Sequence, residues 1–260
     1  GGGDDALFGG DGDDTYLFDT DSVIGTDTVG EFIGGGTDTL DFSATTERRV
    51  TVDLSDAAAQ VTASRVVGFV VLIHHTLDLS AGHVIENVTG GSQSDRLTGN
   101  GLDNVLTGGK GDDTLTGADG DDTLDGGSGD DTYRFAADSA LGSDSITEAV
   151  GAEGGTDTLD FSSTISRSIA IDLSRGAAQF VNVNLTLALN TCHSMENVIG
   201  GSLGDTITGN NLDNELTGGP GNDLLTGDRG DDTYVFDTDS ALDTDTITEI
   251  EGDEGGVDTL

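Results

Sequence analysis

Residues 108–134 read GGKGDDTLT, GADGDDTLD and GGSGDDTYR in three successive blocks of nine. The same register extends back to Gly90 and recurs from Gly200 and from Gly9, which gives ten complete frames in three stacks. Gly occupies the first position of every frame, and an apolar residue occupies the eighth. A short period repeated in fixed register is typical of a chain that stacks coils along an axis.

The positions of the frame have distinct conformational roles. Glycines at positions one, two and four predict a tight turn with positive φ, a conformation that costs glycine little. Positions seven to nine, such as Thr114-Leu115-Thr116, predict a short strand whose middle side chain points inward. Because a three-residue strand buries too little on its own, the copies must stack to form a stable core.

The sixth position supplies a row of oxygen ligands. It is Asp in eight frames and Asn in two, namely Asp14, Asp95, Asp113, Asp122, Asp131, Asp205, Asp223, Asp232, Asn104 and Asn214. The third position tolerates Lys110, Pro220 and Arg229, so only its carbonyl is expected to be a ligand. Carboxylates combined with backbone carbonyls in flexible turns favour Ca²⁺ over Mg²⁺. The repeat therefore predicts rows of Asp that calcium holds together.

The composition requires a cation and argues against several classes of partner. The 260 residues contain 50 Asp and Glu against nine Lys and Arg, a formal net charge of −41. Without a basic patch the chain is not expected to bind nucleic acid or anionic membrane surfaces. The longest apolar run, residues 66–73, is too short for membrane insertion. With Cys192 as the single cysteine, no internal disulfide can form, so stability is expected from ions and repeats.

The frame Gly-Gly-x-Gly-x-Asp-x-apolar-x resembles the nonapeptide of RTX (repeats-in-toxin, haemolysin-type calcium-binding) proteins. The resemblance implies an all-β fold, a parallel β-roll or β-helix solenoid in which one coil takes two nonapeptides. Turns on the same side then lie 18 residues apart. This spacing pairs Asp95 with Asp113, Asp113 with Asp131, Asn104 with Asp122, Asp205 with Asp223, and Asn214 with Asp232.

The resemblance also implies a ligand set in which carbonyls of positions one and three join the sixth-position side chain. The residues concerned are Gly9, Asp11, Gly90, Ser92, Gly108, Lys110, Gly117, Asp119, Gly126, Ser128, Gly200, Ser202, Gly218, Pro220, Gly227 and Arg229, and a truncated copy in residues 1–8 adds Asp5. Two departures from the frame are expected to leave sites weak or vacant. Asn104 and Asn214 lack the charge, and the fourth-position glycine is replaced by Gln93, Leu102, Leu203 and Leu212.

The repeats predict six segments along the chain. They are the end of a first RTX stack (1–17), a spacer (18–89), a stack of five nonapeptides (90–134), a second spacer copy (135–199), a stack of four nonapeptides (200–235) and the start of a third spacer (236–260). The higher period of stack and spacer predicts a longer array of the same kind.

The spacers keep fragments of the nonapeptide frame and are expected to be degenerate solenoid turns. Most fragments retain Gly-x-Asp-x-apolar, which makes Asp27, Asp38, Asp144 and Asp157 secondary ligand candidates. The alternative, that these Asp are only solvated turn formers, is equally compatible with the pattern.

No motif predicts catalysis, and the chain is not expected to be an enzyme. His74, His75, His83 and His193 form no His-Glu-x-x-His pattern, and adjacency alone does not make Cys192 and His193 a catalytic pair. Tyr16, Tyr133 and Tyr234 each close a stack and are expected to fill the core rather than to form a sugar-binding platform.

Two functions fit these observations. The first is an extracellular, calcium-binding structural repeat region of a large bacterial secreted or surface protein (an adhesin, surface layer or filament), which folds on Ca²⁺ after type I secretion. The alternative is the secretion-and-folding region of an exported enzyme or toxin whose catalytic domain lies outside this chain. Three stacks with recurring spacers favour the first. The expected partners are calcium ions, with end-to-end self-association or further repeats of the array.

Overall fold

The computed structural model describes residues 1–32, 34–67, 70–79, 84–148, 154–190, 194–236, 244–249 and 257–259. Within these ranges the chain forms β-strands and turns and no helix, which confirms the predicted all-β class. The described residues accordingly include no helix with the length and apolarity to cross a bilayer. Cys192, His83 and His193 lie outside the described residues.

The chain divides into two compact units, of which the first is Gly1–Ser128. Its strands are β1 (Ala6–Phe8), β2 (Thr15–Leu17), β3 (Gly25–Gly30), β4 (Thr39–Asp41), β5 (Thr51–Asp53), β6 (Gln60–Val67), β7 (Val70–Leu79), β8 (Asn87–Thr89), β9 (Arg96–Thr98), β10 (Val105–Lys110), β11 (Thr114–Thr116) and β12 (Thr123–Ser128). They are hydrogen-bonded in the orders β1-β3-β7-β6, β12-β10-β8-β4-β2 and β11-β9-β5. The pairings are parallel except that of β6 with β7.

The second unit is Gly129–Leu260 and is built in the same way. Its strands are β13 (Thr132–Arg134), β14 (Gly142–Thr147), β15 (Thr158–Asp160), β16 (Ala170–Asp172), β17 (Gln179–Asn182), β18 (Leu185–Leu189), β19 (Asn197–Ile199), β20 (Thr206–Thr208), β21 (Glu215–Thr217), β22 (Leu224–Thr226), β23 (Thr233–Val235) and β24 (Thr246–Thr248). They pair in the orders β17-β18-β14, β23-β21-β19-β15-β13 and β16-β20-β22-β24. Among the described strands of this unit, only β17 and β18 run antiparallel.

The register between strands of a stack is 18 residues. Val105 pairs with Thr123 in the first unit, and Thr206 pairs with Leu224 in the second. Two nonapeptides therefore complete one coil, as the parallel β-roll requires. The sequence-based division into stacks and spacers was drawn from repeat boundaries alone and stays a prediction.

The eighth-position side chains fill the core of each unit. Leu97, Leu106, Leu115 and Leu124 are fully buried, and even Tyr16 is only 7% exposed. Each lies in the middle of a short inward-facing segment of strand, with flanking side chains that are more exposed. Because each segment contributes one inward side chain, a single coil buries little apolar area. A coil therefore depends for its stability on the coils that pack against it.

The spacers repeat one aromatic arrangement at the end of a stack. Phe18 stacks on Phe42 in the first unit, with ring centroids 5.1 Å apart, and Phe135 stacks on Phe161 in the second at 5.3 Å. The four rings are buried. The rings of Tyr16, Tyr133 and Tyr234 are also buried, which confirms that the stack-closing tyrosines fill the core.

Antiparallel hairpins depart from the expected solenoid turns. In the first spacer β6 folds back on β7, and in the second β17 folds back on β18. Only the second strand of each hairpin joins the parallel sheet, with Gly25 opposite His75 and Gly142 opposite Leu185. The solenoid therefore continues through β7 and β18, while β6 and β17 are added at its edge.

Candidate metal centres

The sixth-position side chains form a ladder along each stack. One side-chain oxygen, Oδ1, accepts a hydrogen bond from the backbone N–H of the sixth-position residue 18 residues earlier. The distances are 2.6 Å from Asp95 N to Asp113, 2.8 Å from Asn104 N to Asp122, 2.7 Å from Asp205 N to Asp223 and 2.8 Å from Asn214 N to Asp232. Four of the pairs expected from the repeat thus lie together, and Oδ2 of each aspartate lies beside the first-position glycine of its own turn.

The ladder continues into the spacers at longer sequence intervals. Asp27 Oδ1 accepts from Asp5 N at 3.0 Å, Asp38 Oδ1 from Asp14 N at 3.0 Å, and Asp157 Oδ1 from Asp131 N at 2.9 Å. Asp144, on β14, is buried as well. All four secondary ligand candidates are buried, unlike solvated turn formers, and their role as ligands stays a prediction.

Two further ladder residues, Asp245 and Asp258, were missed in the sequence. They accept from the N–H groups of Asp223 and Asp232 at 3.0 and 3.1 Å. The sequence could have indicated them, because residues 239–247 and 256–260 repeat the fragments that contain Asp27 and Asp38.

The first-position glycines are needed for space and not for positive φ. None of these ten glycines, all of them described, has a positive φ, so the expectation for position one was wrong. A Cβ on Gly200 would lie 2.7 Å from Asp205 Oδ2, and one on Gly108 would overlap Asp113 Oδ2. The sixth-position oxygen occupies the volume that any other residue at position one would fill.

The ten frames adopt two turn conformations. Six "glycine turns", which begin at Gly9, Gly108, Gly117, Gly126, Gly218 and Gly227, have positive φ at positions two and four. The second position is non-glycine in two of them, where Ala118 and Asp228 each have φ of 78°. Four "substituted turns", which begin at Gly90, Gly99, Gly200 and Gly209, lack the fourth-position glycine and have no positive φ at either position.

In the substituted turns the protein itself binds the inward oxygen. The N–H of position two donates to the sixth-position side chain, over 2.5 Å from Gly91 to Asp95, 2.8 Å from Asn100 to Asn104, 2.6 Å from Gly201 to Asp205 and 2.8 Å from Asn210 to Asn214. At Asp95 the other oxygen accepts from Val50 N at 2.7 Å. Both carboxylate oxygens of this residue are therefore satisfied by backbone donors.

The two sixth-position asparagines complete this arrangement with their amide groups. Asn104 Nδ2 donates to the carbonyl of Glu86 at 2.7 Å, and Asn214 Nδ2 donates to the carbonyl of Glu196 at 2.8 Å. Each asparagine thus presents a neutral N–H to a backbone carbonyl where an aspartate would present a second carboxylate oxygen. This geometry supports the expectation of weak or vacant sites there, which stays a prediction.

Burial raises the pKa of the ladder carboxyls. It raises the pKa of Asp95 and Asp205 to about 6, where backbone N–H donors oppose it, and that of Asp122 to about 7. Burial also raises the pKa of Asp157, which reaches about 8 because the charges of Asp131 and Glu196 act in the same direction. The pKa of Asp232 rises to about 6 for the same main reason. The folded chain therefore disfavours its own carboxylates at neutral pH unless positive charge is supplied.

Three glutamates that the frame does not contain join the ladder at the stack ends. Carboxylate oxygens lie within 4.8 Å of one another in the groups Asp14–Glu31–Asp38, Asp131–Glu148–Asp157 and Asp232–Glu249–Asp258. Each Glu follows Asp27, Asp144 or Asp245 by four residues, a regularity that sequence reasoning overlooked. The tyrosine hydroxyls lie here too: Tyr16 accepts from Gly9 N at 2.7 Å, and Tyr133 donates to Glu148.

Asp27 has a different environment from the other ladder residues. Its Oδ2 lies 3.4 Å from Nε2 of the fully buried His75, whose Nδ1 is 2.6 Å from Thr62 Oγ1. Burial lowers the pKa of His75, and the nearby Asp27 charge only partly opposes this. A buried imidazole thus faces Asp27, and in the second spacer Leu185 stands at the position of His75.

The donor set fits a hard divalent cation. It consists of carboxylate, amide and carbonyl oxygens, and among the buried oxygens without a hydrogen-bond partner are Asp14 Oδ2, Glu31 Oε2 and Asp157 Oδ2. Oxygen-only sets of this kind suit Ca²⁺.

Comparison with known proteins identifies the repeat. The sequence matches the family model described as the RTX calcium-binding nonapeptide repeat, in four copies over residues 1–22, 98–133 and 199–234. These residues make up somewhat more than a third of the chain. No curated protein matches the sequence.

Proposed function

This chain carries RTX calcium-binding nonapeptide repeats, and we propose that it is an extracellular structural region of a larger bacterial secreted or surface protein. RTX repeats bind Ca²⁺ and are typical of secreted proteins. In this proposal calcium is the folding ligand, and the folded region is a spacer or display element of an adhesin, surface layer or filament. The carboxylate ladder carries the proposal, because it stacks acidic groups at the spacing of one coil.

Charge explains why folding would depend on the ion. The net charge of the chain is −41, so its acidic side chains repel one another when the chain is compact. The ladder places part of that charge on successive coils. When bound, Ca²⁺ supplies positive charge between these oxygens. The chain's own groups fix the geometry of the folded state, in which a backbone N–H donates to Oδ1 of the rung and thereby orients Oδ2.

Calcium concentration would then determine where the protein folds. Extracellular calcium modules have dissociation constants of roughly 10⁻⁴–10⁻³ M, well above cytosolic calcium levels. A chain with such sites stays unfolded inside the cell and passes through a type I exporter. Outside, binding free energy becomes folding free energy.

A structural role is preferred over the secretion-and-folding region of an exported enzyme or toxin. The two units repeat the same stack-end arrangement in detail, down to the stacked phenylalanines and the three-carboxylate group. Repetition of this kind favours a structural array that acts as a spacer, in which added repeats extend its length. A catalytic domain encoded beside these residues would favour the alternative instead.

Circular dichroism tests the calcium dependence. The purified chain is titrated with CaCl₂ and then with EGTA, with MgCl₂ in a parallel titration. We expect a coil spectrum in EGTA that becomes β-rich at sub-millimolar to millimolar Ca²⁺, and little change with Mg²⁺ at the same concentrations. A β-rich spectrum that EGTA leaves unchanged would contradict the proposal.

A further inference from the structure

A group of three carboxylates lies where a stack meets the following spacer. In the first unit it comprises Asp14, Glu31 and Asp38, and in the second unit Asp131, Glu148 and Asp157 stand at the corresponding positions. Glu31 follows β3 and Glu148 follows β14, so neither belongs to a nonapeptide. The nonapeptide frame therefore does not account for these groups.

Each group contains a buried carboxylate oxygen that has no hydrogen-bond partner. Glu31 is 6% exposed; its Oε1 accepts from Gly9 N at 3.1 Å, while Oε2 has no hydrogen-bond partner. Asp157 is 1% exposed, and although Oδ1 accepts from Asp131 N, Oδ2 has no partner. A buried carboxylate oxygen in this position needs a proton or a cation.

In the first group two carboxylates converge on one glycine. A Cβ on Gly9 would lie 2.6 Å from Glu31 Oε1 and would overlap Asp14 Oδ2. None of the ion pairs among the described residues includes Asp14, Glu31 or Asp38. The protein thus brings together three acidic side chains from separate segments, and no described lysine or arginine is paired with them.

We propose that each of these groups is a second class of calcium site, in which a spacer glutamate, Glu31 or Glu148, joins two ladder aspartates as a ligand. The proposal rests on the calcium binding proposed above and adds sites that the repeat frame does not contain. Three protein carboxylates suit Ca²⁺, which accepts many oxygen ligands at flexible geometry, better than Mg²⁺, which retains water. Such an ion fastens the segment after β3 or β14 to the turn that ends the preceding stack.

Counting bound ions tests the proposal. The full chain and its Glu31→Gln/Glu148→Gln variant are dialysed against saturating Ca²⁺, and bound calcium per chain is measured by mass spectrometry of the metal. We expect the variant to bind two ions fewer than the wild type. The control is Glu47→Gln/Glu215→Gln, which removes the same charge from two exposed glutamates and is expected to bind the full number.

Terbium luminescence gives a second readout at the same sites. The chain has no Trp and three Tyr, and the hydroxyls of Tyr16 and Tyr133 lie at these groups. Tb³⁺ excited through tyrosine should emit strongly in the wild type, lose emission when Ca²⁺ is added, and emit at least two-fold less in the Glu31→Gln/Glu148→Gln variant. If that variant does not fold, the two single variants are counted, each with an expected loss of one ion.

The outcomes separate the two proposals. An unchanged ion count and unchanged emission in a folded variant overturn this site. A wild-type chain that binds no Ca²⁺ overturns the proposed function itself.

Discussion

The glycine turns and the substituted turns both place a sixth-position side-chain oxygen inside the turn, but they differ in backbone conformation and in the hydrogen bonds to that oxygen. In a substituted turn the N–H of position two reaches that oxygen, as Gly201 reaches Asp205 at 2.6 Å. In a glycine turn, positions two and four have positive φ. The carboxylate oxygen of position six lies where a Cβ of the first-position residue would be. In all four turns that lack a glycine at position four, the N–H of position two thus binds the sixth-position oxygen.

The largest effect is expected from a side chain at position one of a glycine turn. In Gly108→Ala the new Cβ overlaps Asp113 Oδ2 and lies 2.7 Å from the carbonyl of Gly126. Overpacking of this kind costs roughly 1–3 kcal/mol, and we expect the loss of calcium binding in that coil as well. Thermal unfolding in excess Ca²⁺ measures the first effect and an ion count the second. Gly101→Ala is the control, because nothing lies within 4 Å of its Cβ position; equal destabilisation by both changes would contradict the steric argument.

Removing calcium should reveal a strong pH dependence. The pKa of Asp122 is raised to about 7 and that of Asp157 to about 8, so the calcium-free folded state binds protons more tightly than the unfolded chain. Stability from these groups is therefore complete below 3.8, the usual pKa of an aspartate, and is lost as pH rises through 6 to 8. In EGTA we expect more β-structure at pH 5 than at pH 8, as measured by circular dichroism. In Ca²⁺ the trend should flatten or reverse, since protons and calcium compete for the same oxygens.

A smaller effect should separate the two classes of turn at their aspartates. Asp113→Asn changes a glycine turn, and we expect it to raise the calcium midpoint of folding several-fold because the site loses charge. Asp95→Asn changes a substituted turn whose carboxylate already accepts from Gly91 and Val50, and it should raise the midpoint less than about two-fold. Equal shifts in parallel titrations would show that the turn class does not control binding.

The smallest change in ion number is expected from Asn104→Asp. The added charge does not open the turn, because Leu102 still stands at position four and Asn100 N still donates to the side chain. The substitution also removes the bond from Nδ2 to the carbonyl of Glu86. We therefore expect no additional bound calcium and a modest fall in melting temperature. An extra ion in the metal analysis would show that charge alone creates a site.

Much of the ladder was predictable because it depends on spacing. The period of nine defined the coil, and with it the pairing of Asp95 with Asp113 and the burial of Leu115. The role of the first-position glycine was not predictable, since sequence does not distinguish a need for positive φ from a lack of space. Glu31 was missed because its partners, Asp14 and Asp38, come from segments that only the fold brings together. The strands of the β6–β7 hairpin carry no trace of the nonapeptide in their sequence.

The rungs of the ladder do not require a fixed length of chain between them. Asp14 and Asp38 are 24 residues apart, and Asp131 and Asp157 are 26 apart, yet the two hydrogen bonds measure 3.0 and 2.9 Å. The intervals differ by two residues, and the rung keeps its geometry in both. A rung can thus keep its hydrogen bond although the chain between its two aspartates differs by two residues.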